Sequence, residues 1–142
     1  MIFVSILLFP LAARAAERNA CPLKRLPGLS HQIFKDWDLT LEKEISRNRE
    51  GDALLVLSSS SSNARCEIEL ESWGQGIYVS DSQPNLAIVE QGDTDYTTLT
   101  WIDLKQCRSL LSKRELGRVE IFSGGFRFPG KKIRLNQNCM PQ

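Results

Sequence analysis

The chain has 142 residues, and its 18 Lys and Arg residues against 17 Asp and Glu residues leave a formal net charge of +1. A near-neutral total argues against a protein that depends on long-range attraction to nucleic acid or to anionic membranes, because such attraction needs a large excess of positive charge. Any electrostatic function must therefore come from a local patch.

The first fifteen residues have the pattern of a secretory signal peptide. An apolar run over residues 2–9 precedes Ala13-Arg14-Ala15, the small-x-small pattern at which signal peptidase cleaves. The run is too short to cross a bilayer, which takes roughly 20 residues. We therefore predict a signal peptide over residues 1–15, followed by a single secreted domain over residues 16–142 without membrane attachment. The expected location is extracellular, or periplasmic in a bacterium, and an uncleaved apolar N-terminal strand or anchor is the alternative.

Four cysteines in an oxidising compartment predict two disulfides. They are Cys21, Cys66, Cys107 and Cys139, and sequence alone leaves all three pairings open. We favour the nested arrangement, in which Cys21 pairs with Cys139 and Cys66 pairs with Cys107. Zinc is disfavoured because the chain has no Cys-x-x-Cys pair and only one His, so we expect neither a metal nor a cofactor.

The segment before residue 50 favours a β-strand over a helix. Trp37, Leu39 and Leu41 alternate with polar residues, as in a half-buried strand. A helical spacing of Phe34, Trp37, Leu41 and Ile45 is the alternative interpretation. The charged stretch over residues 42–50 then predicts a solvated extension or a hairpin, which ends in a turn at Gly51-Asp52.

Two further strands are predicted around a serine-rich loop. Residues 53–57 are apolar, and Cys66, Ile68 and Leu70 alternate with Glu67, Glu69 and Glu71. The polar segment over residues 58–63 between them predicts an exposed loop. The three glutamates, which we call the acidic stripe, are candidate partner-binding residues. Glu67 and Glu69 have a spacing that a glycosidase pair permits, but nothing in the sequence would separate the pKa values of their carboxyl groups.

The middle of the chain predicts strands separated by turns. Gly74 and Gly76 indicate a turn, residues 77–79 and 86–89 are strands joined by a loop over 81–85, and Tyr96–Ile102 is the strongest strand. We interpret Asp93 and Asp95 as turn residues, since they lack the spacing of a calcium-binding loop.

One helix is predicted over residues 104–116. Asp103 can cap its N-terminus, Cys107 and Leu111 follow one face, and Gly117 can end it in a left-handed conformation. Strands resume over residues 119–121 and 133–135. The predicted fold class is α+β, mainly antiparallel β as a sheet, sandwich or small barrel, with one helix near residues 104–116.

The C-terminal strands combine positive charge with aromatic side chains. Phe122, Phe126 and Phe128 are interleaved with basic residues, a pattern that single-stranded nucleic acid binders use for base stacking. The simpler interpretation places the phenylalanines in the core and the charges in solvent. These basic residues would form a second charged face of the protein, opposed to the acidic stripe. The candidate binding residues on it are Arg127, Lys131, Lys132 and Arg134.

No catalytic constellation emerges from the sequence. The single His31 excludes mechanisms that need two histidines, and no Gly-x-Ser-x-Gly motif is present. A site of one Glu, one Arg and one His stays formally open, but no spacing singles out its members. We therefore expect no catalytic residue.

The profile as a whole resembles the small secreted effectors and inhibitors of microbes, a likeness of type without a family motif. It predicts a non-enzymatic, disulfide-stabilised protein that binds another macromolecule, with a protein favoured over nucleic acid as partner. The alternatives are a small secreted hydrolase with a ribonuclease-like fold, and a carbohydrate- or small-ligand-binding module that uses exposed Trp37, Trp73 or Trp101. The oligomeric state is left open.

Overall fold

The computed structural model describes residues 21–28, 31–43, 53–59, 65–70 and 73–142. The predicted signal peptide, Glu71, the turn at residues 51–52 and most of the charged stretch over residues 42–50 and of the loop over residues 58–63 lie outside these ranges. Within them, no helix is long and apolar enough to cross a membrane.

The described residues form twelve β-strands and no helix. Every pairing between the strands is antiparallel. The strands are β1 (Lys24–Arg25), β2 (Gln32–Phe34), β3 (Trp37–Lys43), β4 (Ala53–Ser59), β5 (Arg65–Leu70), β6 (Trp73–Ser80), β7 (Gln83–Gly92), β8 (Tyr96–Asp103), β9 (Arg108–Leu116), β10 (Glu120–Phe122), β11 (Gly125–Phe128) and β12 (Lys131–Arg134).

The strands build three sheets, and the largest packs on both of the others. It has the order β1-β6-β7-β8-β9, beside a four-stranded sheet β2-β3-β4-β5 and a three-stranded sheet β10-β11-β12. Because side chains alternate along a strand, Ile77 and Val79 of β6 face the four-stranded sheet in one core. Tyr78 between them faces the three-stranded sheet in a second core. The five-stranded sheet is thus a central layer with apolar residues on both faces.

The mainly antiparallel β class is confirmed, but the helix over residues 104–116 is wrong. Asp103 does accept the backbone N–H of Gln106 at 2.9 Å, as an N-cap would. The chain then turns, Cys107 adopts a φ of 55°, and β9 pairs with β8 along its length. Leu104 and Leu111, which fall at helical spacing with Cys107, pack in the first core and against the second core, respectively, so they do not share one face.

Two predicted turns are also corrected. Gly74 and Gly76 lie inside β6, where a bulge interrupts the pairing with β7. The loop predicted over residues 81–85 is shorter, since Pro84 already belongs to β7. Likewise Ser59 of the predicted serine-rich loop belongs to β4 and is buried.

Other predictions are confirmed. The strands predicted from Trp37, from residues 53–57, from Cys66 and over Tyr96–Ile102 all exist, with ends shifted by one or two residues. Asp93 is a turn residue, because its Oδ1 accepts the backbone N–H groups of Asp95 and Tyr96 at 3.1 and 2.9 Å. These hydrogen bonds hold the pKa of the Asp93 carboxyl below its ordinary value.

The nested disulfide pairing is confirmed. Cys21 is bonded to Cys139, and Cys66 to Cys107, with Cα atoms 5.1 and 5.9 Å apart. The first pair is buried in the second core, where the indole N–H of Trp101 donates to the Cys139 carbonyl at 2.8 Å. The second pair links β5 to the turn before β9. Each disulfide therefore fastens an outer part of the chain to the central layer.

Candidate functional site

The outward face of the three-stranded sheet carries most of the predicted basic residues. Phe126 and Ile133 point into the second core, so Arg127, Lys132 and Arg134, which alternate with them, point outward. The register places Arg127 opposite Lys132 on the neighbouring strand. The hydrophobic alternation of β11 and β12 thereby gathers three cations on one surface.

These three cations surround a single aromatic ring. The guanidinium carbons of Arg127 and Arg134 lie 5.7 and 5.9 Å from the centroid of the Phe122 ring, and the Lys132 Nζ lies 5.5 Å from it. These distances fall within the range of cation–π attraction. The half-buried Phe122 is opposite Gly125, which presents no side chain to the ring. We call Phe122, Arg127, Lys132 and Arg134 the cationic face.

The three cations of the cationic face form no ion pair with the described residues, although Glu120 of β10 is the cross-strand neighbour of Arg127 on the same face of the sheet. Among the described residues, seven ion pairs form, and none involves Arg127, Lys132 or Arg134. Three like charges held around one ring repel one another, and a bound carboxylate would relieve that repulsion. The surface is therefore suited to an anionic group.

Lys131 does not belong to this surface, although the sequence grouped it with the other three. Its ammonium group is bonded to the Glu115 carboxylate of β9. It alternates with Lys132 along β12 and pairs across the sheet with Phe128. Lys131 thus connects the three-stranded sheet to the central layer instead of facing a partner.

The acidic stripe lies on another layer of the molecule. Glu67 and Glu69 are exposed on β5, the edge strand of the four-stranded sheet. An Arg65 N–H group donates to the Glu67 Oε1 at 3.1 Å, which offsets part of the stripe's charge. Glu71 lies outside the described residues. Partner binding by this stripe stays a prediction.

A polar cleft was missed by the sequence reasoning. It has a volume of about 590 Å³ and contains Glu90, which is only 7% exposed. Glu90 lies on the same face of β7 as Leu86 and Ile88, so a carboxylate stands where the alternation calls for an apolar residue. That mismatch is the sequence signal. The residues lining this Glu90 cleft are Arg25, Gln75, Tyr78, Glu90, Thr97, Arg118, Val119, Glu120 and Ile121.

Hydrogen bonds fix the floor of the Glu90 cleft. The Tyr78 hydroxyl donates to the Glu90 Oε1 at 2.6 Å. Arg25 donates to the Gln75 carbonyl at 2.7 Å and lies over the Tyr78 ring, with its guanidinium 3.7 Å from the Glu90 Oε2. Burial, followed by the neighbouring carboxylate, raises the pKa of Tyr78 well above its ordinary value. Tyr78 therefore remains a hydrogen-bond donor at neutral pH.

The remaining candidates are not brought into either site. His31 is exposed just before β2, with its Nδ1 3.5 Å from the Asp38 Oδ2, and does not line the cleft. Trp101 is fully buried, so its predicted role as an exposed ligand-binding ring is wrong. Trp37 is half-buried and donates to Asn85 at 3.2 Å, and the Trp73 side chain lies outside the described part. The described residues hold no cluster of three or more potential metal ligands.

Comparisons with known proteins give no match, whether with family models, with curated proteins or with solved structures. What the chain does is therefore inferred from its own geometry.

Proposed function

We propose that the chain is a small secreted, disulfide-stabilised protein that binds an acidic surface of another protein through the cationic face. One observation carries the proposal: three cations surround a half-buried phenylalanine and have no ion-pair partner among the described residues. Aromatic rings and arginines are enriched where protein interfaces gain most of their affinity.

The chemistry of the face defines the partner. Arg127 and Arg134 present planar guanidinium groups that can bind carboxylates with two parallel hydrogen bonds, and Lys132 adds a compact charge. The Phe122 ring between them offers apolar area that an aliphatic or aromatic side chain can cover. We expect the partner to carry two or three carboxylates around one apolar side chain.

Nucleic acid is the weaker alternative. Base stacking along a single strand needs several exposed rings. Phe126 and Phe128 are buried, and Phe122 is the one ring that belongs to the cationic face. Three cations neutralise about three phosphates, which is a small electrostatic footprint for a protein whose affinity comes mainly from phosphate contacts. The alternation of phenylalanines and basic residues is therefore better explained by core packing of the rings, with the charges on the outer face, than by base stacking.

Secretion is supported by two independent features. The pattern of residues 1–15 predicts a signal peptide, and the two disulfides belong to proteins that fold in oxidising compartments. A sheet held by disulfides also presents its surface side chains in fixed positions, which lowers the entropic cost of binding.

Affinity capture with matched variants tests the proposal. The wild-type protein, a charge-reversed variant (R127E, K132E and R134E) and a control with E67K and E69K are immobilised and exposed to protein extracts of candidate targets, with and without nuclease treatment. A protein retained by the wild type and the control, and lost by the charge-reversed variant, is the expected result. Retention that disappears with nuclease, or that depends on the acidic stripe instead, would contradict the proposal.

A further inference from the structure

We propose that the Glu90 cleft is a second, separate binding site, which takes a neutral, hydroxyl-rich ligand such as a sugar ring of a glycan. The cleft shares no residue with the four of the cationic face, although its Glu120 is the cross-strand neighbour of Arg127, so the two sites adjoin. The cleft lies between the central sheet and the segment that leads into β10.

The first argument is the incomplete pairing of a buried charge. The Glu90 Oε1 accepts the Tyr78 hydroxyl, but among the described residues Oε2 accepts no hydrogen bond. Its nearest cation, Arg25, is 3.7 Å away, which is longer than a hydrogen bond. Although Glu90 is only 7% exposed, Oε2 is not among the fully buried atoms of the described residues that lack a hydrogen-bond partner, so it is open to the solvent of the cleft. Oε2 is therefore an acceptor that a ligand in the cleft can reach.

The second argument is the balance of charge around the cleft. Arg25 and Arg118 oppose a cationic ligand, and Glu90 and Glu120 oppose an anionic one. An ionised carboxylate only accepts hydrogen bonds and a guanidinium only donates them. A hydroxyl does both, so adjacent hydroxyls can donate to Glu90 and accept from an arginine at the same time. A neutral polyol satisfies this arrangement better than a charged molecule.

The third argument is the shape and lining of the cleft. Its volume of about 590 Å³ lies within the range of small-ligand sites. Val119 and Ile121 form an apolar side, against which the C–H face of a sugar ring can pack. The wall is held in place because the Thr97 hydroxyl donates to the Gly117 carbonyl at 2.7 Å.

A titration followed by nuclear magnetic resonance tests the inference. The isotope-labelled protein is titrated with the methyl glycosides of glucose, galactose, mannose and N-acetylglucosamine, and with glucuronate and glucosamine as charged counterparts. At least one neutral glycoside should shift the backbone amides of Gln75, Glu90, Thr97 and Ile121, and should bind more tightly than either charged sugar. No shift at these amides with any neutral glycoside, or tighter binding of a charged sugar, overturns the inference.

Variants locate the binding within the cleft. Glu90→Gln replaces an acceptor by a donor and should weaken binding about tenfold or more, as expected for a hydrogen bond to a charged group. Asp95→Asn removes a carboxylate charge at the exposed turn between β7 and β8 and should leave binding unchanged. Ile121→Trp changes a surface residue and fills the apolar side, so it tests the site even if Glu90→Gln unfolds. Unchanged binding in Ile121→Trp would refute the assignment.

Discussion

At the scale of single residues, the pair of Tyr78 and Glu90 determines the polar character of the second core. The Tyr78 ring packs edge-on against Phe126, with centroids 5.1 Å apart, while its hydroxyl binds the buried carboxylate. The sequence could have flagged Glu90 as a charge at an inward position of an apolar strand. It could not identify Tyr78 and Arg25 as the neighbours of Glu90. Strands β1, β6 and β7, which carry these three residues, become adjacent only when the sheet forms.

Replacing Tyr78 with Phe should destabilise the protein by about 1–3 kcal/mol, because the Glu90 carboxylate loses its hydrogen-bond donor while it stays buried. Urea denaturation at neutral pH measures this change in the free energy of unfolding. Tyr96→Phe is the matched control on a more exposed tyrosine and should have little effect. Equal stability of the two variants would show that the hydrogen bond contributes nothing.

The same hydroxyl gives stability a pH dependence. Because the pKa of Tyr78 is raised in the folded state, the native protein keeps this proton at a pH where the unfolded chain, with tyrosines that titrate near pH 10, releases it. The contribution is complete below about pH 10 and is lost as the pH rises above that value. Unfolding measured from about pH 9 to about pH 11 should show a steeper fall for wild type than for Tyr78→Phe. Parallel curves would be evidence against the raised pKa.

At the scale of elements, local sequence signals predicted most strands correctly. They predicted a helix over residues 104–116, where the chain forms a turn followed by β9. Asp103 supplied a capping carboxylate, yet the N–H it accepts belongs to a turn of the β8–β9 hairpin. Gly117 has the left-handed φ of 91° that was expected of a helix end, but its N–H donates to the Asp95 carbonyl and extends the β8–β9 pairing at the open end of the hairpin. Caps and left-handed glycines serve helices and hairpins alike, so only the long-range pairing with β8 decides between them.

Gly125 is the position in the three-stranded sheet that least tolerates a side chain. It has a φ of 149°, and a Cβ there would collide with the Ile133 carbonyl. Gly125→Ala should therefore destabilise the protein by clearly more than the roughly 1–2 kcal/mol that a left-handed conformation alone costs. Gly130→Ala is the matched control, since Gly130 also has a positive φ but no atom near a Cβ. Thermal denaturation compares them, and an equal loss would refute the close approach.

At the scale of the whole molecule, two disulfides join three layers. The nested pairing could be predicted because it is one of only three possibilities and because it ties the chain ends together. The layering could not be predicted, since it depends on contacts between sheets that are far apart in sequence. Residues 86–89 of β7, for example, form a continuous apolar run because they are covered on both faces, and this pattern alone fits a strand in many architectures.

The two disulfides should differ in their contributions to stability and in their susceptibility to reduction. The Cys21–Cys139 bond spans 118 residues and is buried, whereas the Cys66–Cys107 bond spans 41 residues and includes the exposed Cys107. Chain entropy favours the longer loop by about 1 kcal/mol. Mild reduction followed by alkylation and mass spectrometry should release Cys66 and Cys107 first. Release of Cys21 and Cys139 first would contradict this order.

The central claim is that the cationic face, anchored by Phe122, binds an acidic protein. The most direct measurement is the Kd of the captured partner for wild type and for Phe122→Ala, with the melting temperature of both recorded. Phe122→Ala should raise the Kd by about thirtyfold or more, as expected for the loss of a central aromatic anchor, while the melting temperature changes little. An unchanged Kd in a folded Phe122→Ala variant would contradict the account.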